Sequence, residues 1–389
     1  MKIDTKNLTK AIESKIDRGK WVKCKFSDLV ENIVEKVVPK KCGLEDYIGL
    51  KHLDAGSLKI HRFGKCSEIS GDKLKIYKGD LIFAKRNSYL KRVSIAEFDA
   101  VASAHSLVLR AKPESVLCEF LPFFMLSETF WTRAIEISVG SLSPTINWRV
   151  LAKQEFYLPP KELQAEIASL LWAADSVIEK SKELKESLII TKQSSFRSSI
   201  NDVGLQQLSA VADVAYGLGQ PPEKDENGVA VVRATDIKRG HINEDKFLKV
   251  KRSAIPKGKN VDLKTGDLII VRSGAYTGDL AKIPEHLEGA IGGYDLIIRP
   301  NKNVINSTFL AEYLLDDVAQ SYFKGESVRS AQPHLNSKQV LNTKIPKLVI
   351  SEQNIIAEEL TRFDNLIRYC DENIKSGIQL RKSLINKAF

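Results

Sequence analysis

Ser138-Val139-Gly140-Ser141-Leu142-Ser143-Pro144-Thr145-Ile146-Asn147 is answered 189 positions later by Ser327-Val328-Arg329-Ser330-Ala331-Gln332-Pro333-His334-Leu335-Asn336. The two stretches belong to one longer match, in which residues 120–200 lie over 309–389 without a gap. Further along, Gln164-Ala165-Glu166-Ile167 faces Gln353-Asn354-Ile355-Ile356, and Asp175 faces Asp364. A repeat of this length makes the chain a pseudo-dimer, two similar units on one polypeptide, each suited to one half of a two-part target.

Each copy ends in a long helical pattern. Ile167, Leu171, Ala174 and Ile178 are spaced 4, 3, 4, and Leu184 and Leu188 continue the stripe. In the second copy Ile356, Leu360, Phe363 and Ile367 keep the same spacing, with Ile374, Ile378 and Ile385 beyond. That alternation gives one apolar seam on a charged helix, the pattern of a coiled coil or a long packed hairpin. Pro159-Pro160 precedes the first helix, and Ser351-Glu352 supplies an N-cap and first-turn acid for the second. Spacing at Ile3, Leu8, Ile12 and Ile16 predicts a further helix within 1–20. The predicted organisation is an N-terminal helix (1–20), a mixed α/β domain (21–160), a spacer helix (161–200), a second α/β domain (201–350) and a second spacer helix (351–389).

Net charge is +10 over 389 residues, which favours a polyanionic partner without proving one. Residues 161–200 carry six basic and six acidic side chains, and 351–389 carry six and six again. The excess therefore lies in 1–160 (+8) and 201–350 (+2). Neutral helices alternate with basic globular segments, so the globular segments are the expected nucleic-acid contacts and the helices serve another purpose.

Within the basic segments, Leu81-Ile82-Phe83-Ala84 and Leu268-Ile269-Ile270-Val271 are apolar strand runs, each entered through Gly-Asp. Ser106-Leu107-Val108-Leu109-Arg110 and Asp295-Leu296-Ile297-Ile298-Arg299 form a second matched pair, with helical stretches around 120–136 and 309–323. Gly79-Asp80 and Gly266-Asp267 read as turn residues. At the far ends of those first strands both copies place a cation, Lys85-Arg86 and Arg272-Ser273. Arg bonds guanine bidentately, and either cation anchors phosphate. Ser141, Ser143 and Asn147, like Ser330, Gln332 and Asn336, lie on a polar loop before a short strand. That loop is either a capped turn or a set of hydroxyl and amide groups facing bases. The candidate DNA contacts are Lys85, Arg86, Lys91, Arg92, Ser141, Ser143, Asn147, Arg233, Arg272, Ser273, Arg329, Ser330, Gln332 and Asn336. The seam residues Ile167, Leu171, Ile178, Leu184, Ile356, Leu360, Phe363 and Ile367 are the candidate coiled-coil and subunit-docking positions.

Several chemistries lack their motifs. No Gly-Lys is followed by Ser or Thr, so there is no phosphate loop. Gly217-Leu218-Gly219 runs into Gln220-Pro221-Pro222, which cannot open the helix a dinucleotide site needs. The Asn-Pro-Pro-aromatic or Asp-Pro-Pro-aromatic run of an amino-methyltransferase and the Pro-Asp start of a common nuclease signature are both missing. The histidines have no metal-ligand spacing, and the five cysteines are scattered without a C-x-x-C pair, which suits a reducing compartment. No apolar run approaches a membrane span, and the first residues have no apolar signal region, so the expectation is a cytoplasmic, non-catalytic protein without a membrane role.

The chain resembles the specificity subunit of type I restriction-modification systems. The carrying stretches are Gly266-Asp267-Leu268-Ile269-Ile270-Val271-Arg272-Ser273-Gly274, Arg329-Ser330-Ala331-Gln332-Pro333-His334-Leu335-Asn336, Ile345-Pro346-Lys347-Leu348, Ser351-Glu352-Gln353-Asn354-Ile355-Ile356 and Leu380-Arg381-Lys382-Ser383-Leu384-Ile385. Their order, spacing and duplication make the match. The first copy departs from the pattern with Lys85 for Arg, Ser143 for Gln, and Leu163 where Glu precedes the Gln, which puts its base preference in doubt rather than its class. The resemblance implies an α+β protein with two tandem target-recognition domains and long helices packing as an antiparallel coiled coil. It implies a bipartite, asymmetric double-stranded DNA target with one half-site per domain and a gap fixed by the helices. Two methyltransferase subunits would dock on the helices and bind S-adenosylmethionine, and restriction subunits using ATP and magnesium could join. The chain itself would bind no cofactor. Two other readings remain, a methylation-only or type II-like complex and a coiled-coil adaptor without a DNA role.

Overall fold

The structure is a computed structural model describing residues 16–220, 223–256, 258–327 and 333–389. It divides into two compact units, one made of residues up to Leu184 with Cys370–Phe389, the other of Lys185–Tyr369. Residues 1–15 of the expected N-terminal helix lie outside the described residues, and Arg18–Lys20 form a single 3-10 turn.

The first unit is built on an antiparallel sheet in the order Val30–Ile33, Ser106–Ala111, Leu81–Ala84, Val93–Ile95. The continuous apolar run Leu81–Ala84 follows from burial on both faces. Leu81, Phe83, Leu107 and Leu109 point into a core rich in aromatic rings, among them Phe26, Phe120, Phe124 and Trp131. Ile82, Ala84 and Val108 point into a second core under a five-stranded sheet that contains Lys73–Ile76 and Ala100–Ala102. The second unit repeats the plan with Ala212–Tyr216, Leu296–Pro300, Leu268–Ile270 and Leu280–Lys282. Leu268 and Ile270 face one core, while Ile269 and Val271 face the other. The registers correspond, with Leu107 opposite Phe83 and Leu296 opposite Ile270.

The Gly-Asp pairs have the structural role read from sequence. Gly79 (φ +95°) and Gly266 (φ +87°) are left-handed, a conformation glycine adopts without penalty. Asp80 accepts the Tyr77 N–H at 2.9 Å and Asp267 the Lys264 N–H at 2.9 Å, closing each turn. Asp80 is also clamped by Arg110, at 2.8 and 3.0 Å.

The long helices are Lys161–Ser199 and Ile350–Ala388. Each has 39 residues, about 58 Å at 1.5 Å per residue. The second starts one residue before the expected Ser351 cap, and Glu352 accepts the Val349 N–H instead. In the first unit Ile167, Leu171 and Ala174 share a core with Leu380, Leu384, Ala388 and Phe389. There Arg381 bonds the Asp175 carboxylate and the Gly56 carbonyl. In the second unit Lys192 pairs with Asp364 at 2.7 Å and Glu312 at 2.8 Å. Shifting Asp175 by 189 gives Asp364, and shifting Lys192 gives Arg381, so each ion pair is the other's image in the repeat. Ile167, Leu171, Ile178 and Leu360 are buried, Ile356, Phe363 and Ile367 half-buried, and Leu184 is 54% exposed, off the seam.

The repeated glutamine is a staple. Gln164 accepts the Leu117 N–H (3.0 Å) and donates to the Pro159 carbonyl (2.9 Å). Gln353 accepts the Asn306 N–H (2.8 Å) and donates to the Leu348 carbonyl (2.9 Å). Both are buried, so each joins the start of its helix to the globular part of its own unit. No helix among the described residues is long and apolar enough to cross a membrane.

Candidate nucleic-acid interface

In each unit the cation at the strand end is held by one backbone frame. Ile146 N–H donates to the Lys85 carbonyl at 2.8 Å, and Leu335 N–H donates to the Arg272 carbonyl at 2.8 Å. The next residues form matching antiparallel bridges, Arg86 with Thr145 and Ser273 with His334. Lys85 and Arg272 therefore occupy the same place in two copies, and the side chains around them differ.

Around Arg272 the surroundings are aromatic. Its guanidinium lies 5.0 Å from the Tyr216 ring centre and 4.5 Å from that of Tyr294, a cation–π contact on both rings. Nη2 meets His334 Nε2 at 2.9 Å, and His334 Nδ1 meets Ser273 Oγ at 2.7 Å. Arginine only donates, so Nε2 accepts and Nδ1 carries the proton toward Ser273. Burial, followed by the Arg272 charge, holds His334 below its ordinary range. A depressed histidine keeps its neutral-state contacts above the unfolded value and loses them as pH falls through the folded one. His334 is thus expected to titrate below an ordinary histidine in an imidazole NMR titration, with Arg272 released as it protonates. A titration at or above the ordinary value would contradict this geometry.

Tyr216 is fixed through its hydroxyl to Ser337. Asp295 accepts the Arg272 N–H on Oδ1 at 3.2 Å, and burial raises its carboxyl above the usual range. Arg233 is bound to its neighbour Asp236 at 3.1 Å through both Nε and Nη2. Arg329, Ser330 and Gln332 lie outside the described residues.

Around Lys85 the surroundings are basic. Lys85 lines a cavity of about 460 Å³ with Lys73, Ser106, Thr145 and Asn147. Burial lowers the Lys85 ammonium. His105 is lowered by burial and then by the charges of Arg86, Lys85 and Lys73. Arg86 is exposed. Lys91 is paired with Glu128. Arg92 donates to the Leu50 carbonyl at 2.6 Å, so it is tied to its own unit. Ser141 is exposed and Ser143 half-buried on a loop closed by the Val139 and Thr145 backbones, at 3.0 and 2.9 Å.

Both loop asparagines are helix caps. Asn147 accepts the Arg149 N–H at 2.9 Å and opens the one-turn helix Trp148–Leu151. Asn336 accepts the Gln339 N–H at 3.0 Å and opens Ser337–Leu341. A helix therefore follows the loop where a strand was expected directly. The capped-turn alternative accounts for the side-chain oxygen of each. Sequence reading missed Tyr216, Tyr294, Asp295, His105 and Ser106 as neighbours of the cations. Ser106 and Asp295 already stood at matched positions in the strand pair, and that mismatch was the available signal. Among the described residues no three His, Cys, Asp or Glu side chains cluster as a metal site requires.

A model of the type I restriction modification DNA specificity domain matches residues 19–188 and 214–379. The EcoBI specificity subunit of Escherichia coli is 25% identical over 183 residues, 45% of this chain and 38% of that protein. The MjaVIII specificity subunit of Methanocaldococcus jannaschii is 25% identical over 279 residues, 64% of each. The chain thus spans less than two thirds of the length of these curated relatives. The crystal structure of a type I restriction-modification S subunit from M. genitalium superposes with TM-score 0.63 at 15% identity, over 95% of this chain and 96% of that one. A chain from a structural study of type I complex assembly gives 0.56 at 18% identity, over 95% and 97%. At these identities the likeness is one of fold.

Proposed function

We propose a function from one premise: the chain belongs to the type I restriction modification DNA specificity family, whose domain model covers two stretches of it. It is a specificity subunit that reads a bipartite, asymmetric duplex site, one half-site per unit. The observation that carries this reading is the shared frame at Lys85 and Arg272, where the same backbone bonds present different side chains. A shared frame supports one mode of docking, and different side chains support different bases. The reading face is the major groove, where all four base pairs are distinguishable.

The paired helices are the spacer that sets the unread gap and the platform for two methyltransferase subunits. Their neutral charge balance supports a protein-facing role. S-adenosylmethionine belongs to those partners, as does extrusion of the target base. ATP and magnesium belong to a restriction subunit where one assembles. The chain acts without catalysis of its own.

Replacing residues 201–350 with the corresponding segment of a relative tests the reading. Methylome sequencing of cells carrying the hybrid and its methyltransferase is expected to show one half-site changed and the other retained. Alteration of both half-sites would refute one reader per unit.

A further inference from the structure

Each unit has a cavity beside the strand end that carries its cation, lined by Lys85 itself in the first unit and by Ser273, the residue after Arg272, in the second. The first, about 460 Å³, is walled by Lys85, Ser106 and Thr145. The second, about 230 Å³, is walled by Ser273, Tyr294 and Asp295. Positions 106 and 295 are equivalent, because Leu107 and Leu296, the next residues, hold the same register against Phe83 and Ile270. The two strands are otherwise apolar up to Arg110 and Arg299, so a polar residue at this point of both is an exception.

Both side chains are buried, Ser106 at 1% exposure and Asp295 at 2%. Ser106 Oγ and Asp295 Oδ2 each have no partner at hydrogen-bond distance among the described residues, although the Ala234 N–H lies close enough to the Asp295 carboxylate to favour its charged form. A buried unpaired oxygen costs stability, and native proteins keep few of them. Its occurrence at one equivalent position in two units, on a cavity wall each time, points to a partner outside the chain.

We infer that Ser106 and Asp295 are specificity-determining residues, whose free oxygens each take a hydrogen bond from the DNA half-site, directly or through one bridging water. This rests on the proposed reading of one half-site per unit. An ionised carboxylate only accepts, so Asp295 selects an exocyclic amino group, that of cytosine or adenine in the major groove. A hydroxyl donates and accepts, so Ser106 discriminates less at its position. Neighbouring Arg272 and Lys85 supply the phosphate or guanine contact that brings the base pair to the cavity.

The test is selection from a randomised duplex pool by the full chain in complex with its methyltransferase, comparing the parent with Asp295→Asn, Asp295→Ser and Ser106→Ala. Both Asp295 variants are expected to relax the preference at one base pair of one half-site and to weaken binding to the parental sequence about tenfold. The other half-site should be unchanged. Ser106→Ala is expected to alter only that other half-site. It removes an unpaired oxygen, so it should melt no lower than the parent and decides the matter even if the Asp295 variants fold poorly. Parental preference at every position in folded variants, or an equal loss for all duplexes, would overturn the inference and leave the reading standing. A parent complex that selects no sequence would overturn both.

Discussion

Arg381→Met is expected to cost the first unit about 3–5 kcal/mol, the range for removing one partner of a buried ion pair. Arg381 is 9% exposed and Asp175 5%, and the guanidinium serves both that carboxylate and the Gly56 carbonyl. Methionine keeps much of the stem and removes the charge, so Asp175 is left buried without a counterion. Urea unfolding of the purified chain should show the loss as an earlier transition. Arg381→Met with Asp175→Leu should regain most of it, because an apolar pair can replace a buried ionic one. Lys192→Met, its image in the repeat, leaves Asp364 hydrated at 55% exposure but strands Glu312 at 19%, so it should cost the second unit a loss of the same order. An Arg381→Met chain with parental stability would show that the pair does not hold the helix ends to the first unit.

Gly217→Ala is the second large effect, about 3 kcal/mol in the second unit. A β-carbon there would overlap the Gly293 carbonyl oxygen and stand 2.7 Å from that of Gly292. Both obstacles are backbone, so no side-chain rotation relieves them. The Gly217 N–H also donates to the Asp295 carbonyl at 2.9 Å. The clash should therefore move Tyr216 and Asp295 together and abolish reading of one half-site, with the other retained. Hydrogen exchange should show faster opening of 212–217 and 291–297. Parental exchange rates would mean that the backbone yields at little cost.

Much of this architecture was legible in the sequence because it follows from local pattern. The runs at Leu81 and Leu268, the glycine turns before them and the spacing from Ile167 to Ile178 each specify an element with little help from elsewhere. The helix starts at Ile350 rather than after a Ser351 cap, with the Glu352 carboxylate taking the Val349 N–H ahead of the first turn. The site was less legible because its members are distant in sequence. Nothing local says that Tyr216, Arg272, Tyr294 and His334 meet, since that depends on the strand order. For the same reason Arg92 and Arg233 read as free cations, although Leu50 and Asp236 hold them. Asn147 and Asn336 recur because a one-turn helix needs a cap, which conserves an amide between copies for a reason separate from any base contact.

Residues 380–389 pack into the core of the first unit, where the Phe389 ring lies tilted against Phe120 and Phe124 at 5.2 and 5.6 Å between ring centres. On the ribosome these residues are made after all of 185–369. The second unit can therefore close as soon as its own residues emerge. The first must wait with Phe120, Phe124 and Leu171 uncovered until the end of the second long helix is released. Folding would thus finish in the reverse of synthesis order, and nascent chains stalled before residue 370 would hold an open aromatic core and depend on chaperones.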